Sequence, residues 1–133
     1  MSEAAGPELC VGAVVVEDGR LLLVRRGREP GRGAWSIPGG RVDRGETLGR
    51  AVERELAEET GLRGRCLTLL GWAERLSPDH HFVILDFLVE VGAAVPPVAG
   101  DDADEVAWVP LAEVERRPLV EGLGAFLRAH GVL

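Results

Sequence analysis

The chain has 133 residues, 46% of them hydrophobic, and a formal net charge of −7 from 22 acidic and 15 basic side chains. That length fits a single domain spanning 1–133 with a real core, and the acidic balance argues against a duplex nucleic-acid binder, which carries a basic face. No run approaches the roughly 18 apolar residues of a membrane span, and the start MSEAAGPE has neither a basic segment nor a long apolar one, so a cytoplasmic location without a membrane partner is expected.

Leu9 to Glu17 is an apolar run rich in β-branched valine, and Asp18-Gly19 is a strong hairpin signal. Arg20 to Arg26 returns as a second strand. Alternation puts Arg25 and Arg26 on opposite faces, so one of them can reach a bound phosphate while the other meets solvent. Gly27 to Gly33 is a loop, with Arg28 and Arg32 expected on its solvated side. Trp35 to Gly40 reads as a short β-like piece ending in a Pro38-Gly39-Gly40 turn. Without a Cβ, backbone at Gly39 and Gly40 can come close to a metal or a phosphate.

Thr47 to Thr60 has no proline and many helix formers, and Gly61 stands where a left-handed C-terminal residue belongs. With Leu48 as zero and about 100° per residue, Val52 and Leu56 fall at roughly +40° and +80° and Ala51 near about −60°. Glu55 and Glu59 land at roughly −20° and +20°, inside the apolar arc, and Glu58 at its edge near about −80°. Carboxylates that point with leucines need a reason. Like charges four apart on a helix repel, and burying an unpaired ion costs several kcal/mol. A hard divalent cation removes both problems, because it takes carboxylate oxygens together with substrate phosphates. Arg54, four residues before Glu58, can hold that carboxylate in place, and Glu46 precedes the helix near its positive end.

From Gly40 the residues run GRVDRGETLGRAVERELAEETGL: a glycine, Glu46 six residues on, Arg54-Glu55-Leu56, Glu58-Glu59, Gly61 and Leu62. That stretch resembles the Nudix box, G-x5-E-x7-R-E-U-x-E-E-x-G-U with U aliphatic, at all nine fixed positions. The resemblance implies the Nudix fold, an α/β/α sandwich with a central mixed β-sheet, and an Mg²⁺-dependent pyrophosphohydrolase in which Mn²⁺ can substitute. It implies metal ligands at Glu55, Glu58 and Glu59 with a backbone carbonyl at Gly39 or Gly40, the proton acceptor being Glu55, Glu58 or a loop acid. Arg54 and Glu46 are then orienting groups. Arg25, Arg26, Gly39 and Trp35 are candidates to contact a small nucleotide substrate, Trp35 by stacking on a base. A homodimer is within the family's habits.

Beyond the box come two strand-like stretches, Arg65 to Leu76 and His81 to Val91, separated by Ser77-Pro78-Asp79. His80 and His81 read as surface or capping residues. Gly92 to Asp104 is expected to be a loop with Pro96-Pro97 and an acidic end. The resemblance implies that this region, as in many Nudix enzymes, can supply a further metal ligand or the general base, and of Asp101, Asp102, Asp104 and Glu105 the choice here is Glu105. Val106 to Val109 reads as a short strand, Pro110 opens a turn or short helix, and Leu119 to His130 reads as an amphipathic helix with Leu123, Phe126 and Leu127 as its stripe. Trp35, Trp72 and Trp108 are expected in the core or in pocket walls. Cys10 and Cys66, without metal-ligand spacing, read as buried free thiols.

Three functions are compatible with the residues and the resemblance. The first is hydrolysis of ADP-ribose or a related nucleotide sugar. The second is pyrophosphohydrolysis of (d)NTPs, including oxidised ones. The third is a Nudix-fold binding module without catalysis, which an intact box disfavours. The segment Arg28 to Trp35 and the strand HHFVILDFLVEV resemble the ADP-ribose group and tip the expectation to the first.

Overall fold

The valine-rich run near the start divides between two sheets. In the computed structural model, which describes residues 6–100 and 102–133, β1 (Glu8–Val14) ends one residue before β2 (Val16–Glu17). The continuous strand expected over Leu9 to Glu17 is therefore interrupted at Val15, where the chain crosses from one sheet to the other. β2 pairs with β3 (Arg20–Arg26) across Asp18 and Gly19, both at positive φ (52° and 71°), the twist a two-residue hairpin needs.

The remaining elements are β4 (Trp35–Ser36), β5 (Gly39–Arg41), α1 (Leu48–Thr60), β6 (Arg65–Leu76), β7 (His81–Glu90), β8 (Ala103–Pro110), a 3₁₀ helix (Leu111–Arg116) and α2 (Leu123–Ala129). One sheet has the order β5-β1-β7-β6, with β1 and β7 parallel and the other pairs antiparallel. The second has the order β2-β3-β4, and β8 lies antiparallel to β3. This is a mixed α+β architecture, with α1 on one side of the strands and the 3₁₀ helix and α2 on the other.

Strand alternation divides the core. Val11, Ala13, Val15 and Leu22 face α1, where Ala51, Val52 and Leu56 are at most 1% exposed. Val14, Leu21 and Leu23 face the other way, packing with Val114, Leu123 and Leu127. Thr47 caps α1 by accepting the Arg50 N–H at 3.2 Å, and Gly61 ends it in the left-handed region, φ 72°. The loop after β7 then closes on this helix end: Val98 N–H donates to Thr60 O at 2.8 Å and Gly100 N–H to Glu59 O at 2.9 Å. A Cβ at Gly100 would collide with Glu58 O, so only glycine lets the loop approach so closely.

Several expectations change. The Pro38-Gly39-Gly40 turn is a bend at Pro38 that feeds β5 directly into antiparallel pairing with β1. β8 begins at Ala103, so Asp104 and Glu105 are strand residues and not loop acids: β3 pairs Arg26 with Ala103 and Arg25 with Glu105, and Asp104 is the extra residue at the register shift between them. Asp101 lies outside the described residues. α2 begins only at Leu123, since Pro118 and Val120 make backbone hydrogen bonds to Trp35. Trp72 is 64% exposed on β6 instead of in the core, while half-buried Trp108 donates its indole N–H to Val95 O at 2.8 Å. Both cysteines are free but only partly buried.

Thr60 ties the last turn of α1 to the segment leading into β6. Its fully buried hydroxyl donates to Leu56 O at 2.7 Å and accepts the Leu62 N–H at 3.2 Å. Thr60→Val keeps the shape but strands that N–H, and a loss of about 1–3 kcal/mol is expected. Urea unfolding checks this; a stability equal to wild type would contradict it.

Candidate active site

Arg54 is the centre of the polar cluster. Its Nε and Nη2 grip Glu46 at 2.7 and 2.9 Å, the two-pronged geometry that a planar guanidinium favours. Nη1 donates to Glu55 at 2.8 Å and to Glu58 at 3.2 Å, and Nη2 also reaches Arg41 O at 3.0 Å. Arg54 thus contacts Glu55 more closely than Glu58, the partner its spacing suggests. The Arg54 hydrogen bond, with help from the Asp43 N–H, holds the Glu46 carboxyl down to about 2. The same carboxylates raise the Arg54 pKa, Glu46 most of all.

Glu55 and Glu59 occupy the inner side of α1, as the helical wheel requires. The Glu55 carboxylate packs against Gly40, where any Cβ would collide with it. Burial pushes its pKa up and Arg54 opposes that. Glu59 lacks such a partner. Burial drives its carboxyl up to about 8, with the Glu55 charge adding to the rise. The Gly39 N–H, at 3.4 Å, and the Arg26 charge offset only part of it. Glu58 points outward, its side chain 58% exposed.

These carboxylates border a cleft of about 860 Å³. Arg26, Arg28, Asp102, Gly39, Glu55 and Glu59 make its charged end. Ile37, Phe82, Ile84, Leu119, Leu123 and Phe126 make its apolar part. A smaller hollow of about 250 Å³ at the Ser77–His81 turn touches neither Glu55 nor Glu59.

The other candidate residues divide between the cleft and the rest of the surface or core. Arg26 lines the cleft and donates to Pro30 O at 2.6 Å. Arg25 turns to the opposite face, 3.7 Å from Glu105, its partner in the β3–β8 register. The structure therefore places neither Arg25 nor Glu105 in the cleft. The acid that this region brings there is Asp102, paired with Arg28 at 2.8 Å. Trp35 is 6% exposed and packs in the core, its ring covered by the Arg117 guanidinium at 4.4 Å. Its neighbours Ala34 and Ser36, pointing the other way, line the cleft. Of the histidines, His80 lines the cleft and His81 bonds Glu74 at 2.6 Å. Sequence reasoning missed Asp86, a cleft residue whose signal was a lone charge inside an apolar strand.

Does this cluster suit a metal? Among the described residues no three His, Cys, Asp or Glu side chains converge closely enough to hold an ion by themselves. Magnesium does not ask for that: it binds through one or two carboxylates, and water and substrate phosphates complete the set. Glu55 and Glu59 fit that mode: burial pushes both carboxyls up, and the Glu55 charge adds to the rise at Glu59.

Residues 6–130 match the family described as "NUDIX domain". Over 110 residues the chain is 37% identical to an ADP-ribose pyrophosphatase of Methanocaldococcus jannaschii, which covers 79% of this chain and 63% of that protein. It is 32% identical to a MutT-like protein of Streptomyces ambofaciens, covering 96% of this chain and 88% of that protein. The chain spans only 40% of the length of another relative, a putative mutator protein MutT4 of Mycobacterium tuberculosis. Among solved structures, a MutT NUDIX hydrolase from Burkholderia pseudomallei superposes with a TM-score of 0.80 at 31% identity, covering 93% and 98% of the two chains. The NUDIX domain of Shewanella oneidensis NrtR, complexed with ADP ribose, gives 0.81 at 25% identity, covering 94% and 86%.

The raised Glu59 pKa has a measurable sign. Folded Glu59 keeps its proton up to about pH 8, whereas the unfolded chain releases it near the usual 4.5. Glu59 therefore favours the folded state at low pH, and that contribution is lost as pH rises from 4.5 through about 8. In chelator-containing buffer, wild type should lose stability relative to Glu59→Gln across this window. Urea unfolding curves that run parallel for the two proteins would contradict it.

Proposed function

This chain belongs to the NUDIX domain family, and on that premise we propose that it hydrolyses the diphosphate linkage of a nucleoside diphosphate derivative, ADP-ribose or a related nucleotide sugar. The observation that carries this reading is Glu59, a buried carboxylate short of positive charge beside Glu55, in a cleft that also has apolar walls. Such a site takes a molecule with a metal-seeking phosphate part and a flat organic part. The names of two similar proteins support the substrate: one is an ADP-ribose pyrophosphatase and the other holds ADP ribose.

Glu55 and Glu59, with a backbone carbonyl at Gly39 or Gly40, would hold Mg²⁺. The bound ion supplies neutralisation of the diphosphate and makes water a better nucleophile at neutral pH. Arg54 fixes Glu55 and Glu58 in orientation, and Glu46 fixes Arg54. Arg26 and Arg28 offer positive charge to phosphate oxygens at the same end of the cleft. Glu58, exposed and outside the Glu55–Glu59 pair, is our candidate to take the proton as water attacks phosphorus. The P–O–P bridge then breaks, and ADP-ribose yields AMP and ribose 5-phosphate.

A substrate panel tests this reading. ADP-ribose should show a higher kcat/KM than any common dNTP, and chelator should abolish turnover. Should 8-oxo-dGTP or CTP exceed ADP-ribose by about tenfold or more, a margin that contacts in the pocket can supply, the substrate is a triphosphate.

Arg54→Lys tests the positioning. Lysine cannot span Glu46, Glu55 and Glu58 together, because it lacks the planar fork. Turnover should drop by about 10²-fold, the scale of a lost transition-state contact, with little change in KM. A raised KM at unchanged turnover would instead make Arg54 a substrate contact.

A further inference from the structure

β7 is apolar from Phe82 to Val89 except at Asp86, which is only 4% exposed yet lines the cleft. Its Oδ1 has no hydrogen-bond partner among the described residues. A buried, unpaired carboxylate oxygen is costly and calls for a reason. Arg75 and His130, the basic side chains that act on it, do not supply one. Arg75 spends its guanidinium on Glu74 O and Glu121 O, at 3.1 and 2.6 Å, and His130 Nδ1 lies 2.9 Å from Phe126 O. Burial therefore dominates and raises the Asp86 carboxyl to about 6, against the pull of Arg75 and His130.

The surroundings are shaped as a shelf. Gly12 of β1 and Gly71 of β6 stand in register on either side of Asp86. A Cβ at Gly12 would collide with Asp86 Oδ1, and one at Gly71 with the His130 ring. Phe82, Ile84, Ala73 and Phe126 supply apolar surface to the same cleft. Across the sheet, Asp86, Gly12 and Gly39 are consecutive register partners on β7, β1 and β5. Two strand spacings put Asp86 about 10 Å from Gly39, and the Gly39 N–H donates to Glu59. That separation is of the order of the span from a nucleotide's phosphate to the edge of its base.

We infer that Asp86 is a specificity-determining residue whose carboxylate accepts a hydrogen bond from the exocyclic amino group of a nucleobase seated in this apolar slot. The inference rests on the reading of the cleft as a nucleotide site. A base lacking the amino group leaves Asp86 unpaired, and a carbonyl in its place sets two acceptors against each other. Sites built around such a hydrogen bond reject the analogue that lacks it far more strongly than sites that discriminate by apolar fit alone.

Calorimetric binding of nucleoside 5′-monophosphates in Mg²⁺ tests this without requiring turnover. The pairs are AMP with purine-riboside monophosphate, GMP with IMP, and CMP with its 4-deamino pyrimidinone counterpart. In at least one pair the amino-bearing member should bind about tenfold or more tightly to wild type. Asp86→Val should bring that ratio to within about twofold, and Asp86→Asn, closer in shape, should lower it by about threefold or more. A ratio unchanged in Asp86→Asn, whatever happens to the melting temperature, would make Asp86 structural and overturn the inference. So would the absence of an amino preference, or of any binding, across all three pairs. If the preference holds and shifts with Asp86 while ADP-ribose is not hydrolysed, only the substrate reading fails. If ADP-ribose is hydrolysed while the ratio ignores Asp86, only this inference fails.

Discussion

One guanidinium organises the acidic end of this molecule. Arg54 donates to both oxygens of Glu46, to Glu55, to Glu58 and to the Arg41 carbonyl. Without it, Glu46, Glu55 and Glu58 would crowd together beside a helix that also has to bury Val52 and Leu56. A planar, permanently charged fork can satisfy several acceptors at once, as an ammonium on a flexible stem cannot. Glu46 has the most favourable share, with a two-pronged grip and an additional backbone N–H from Asp43. It grips the arginine, and the arginine in turn bonds Glu55, which lines the cleft, and the exposed Glu58.

Arg54 does not reach Glu59, and the asymmetry is informative. Glu55 has a cationic partner within 3 Å; Glu59 has a long contact to one N–H and a more distant arginine. The fold has placed a carboxylate where its charge is opposed by burial and by its neighbour. Such an arrangement persists when something outside the chain compensates for it, and a hard cation shared with phosphate oxygens has that chemistry. Asp86 repeats the logic elsewhere in the cleft: burial opposes its charge, and its Oδ1 has no hydrogen-bond partner among the described residues.

Backbone proximity, more than backbone flexibility, accounts for the glycines here. Gly12, Gly39, Gly40 and Gly100 all have ordinary negative or extended φ, yet each faces a neighbour that a Cβ would strike: Asp86, Val11 O, Glu55 and Glu58 O respectively. They let strands and a loop close around the carboxylates. Pro38-Gly39-Gly40 is a strand entry and not a free turn for this reason: the two glycines sit in a strand pressed against β1 and Glu55.

Local periodicity made much of this legible in the residues alone. The limits of α1, its cap, its left-handed end and the inward aim of Glu55 and Glu59 follow from about 3.6 residues per turn and from Thr47 and Gly61. The hairpin at Asp18-Gly19 and the opposite faces of Arg25 and Arg26 are equally local. What alternation could not decide was which face meets the cleft, because that depends on where β8 pairs with β3. The pairing carried Glu105 to the outer side with Arg25 and left Asp102 facing in. It could not show that Pro118 and Val120 would pin Trp35 in the core and delay α2, contacts made between segments more than eighty residues apart. Nor could it show that Asp86 Oδ1 finds no hydrogen-bond partner among the described residues, with glycines of β1 and β6 in register on either side. Sequence determined the elements and the chemistry each carries; long-range strand pairing decided which of those groups share one space.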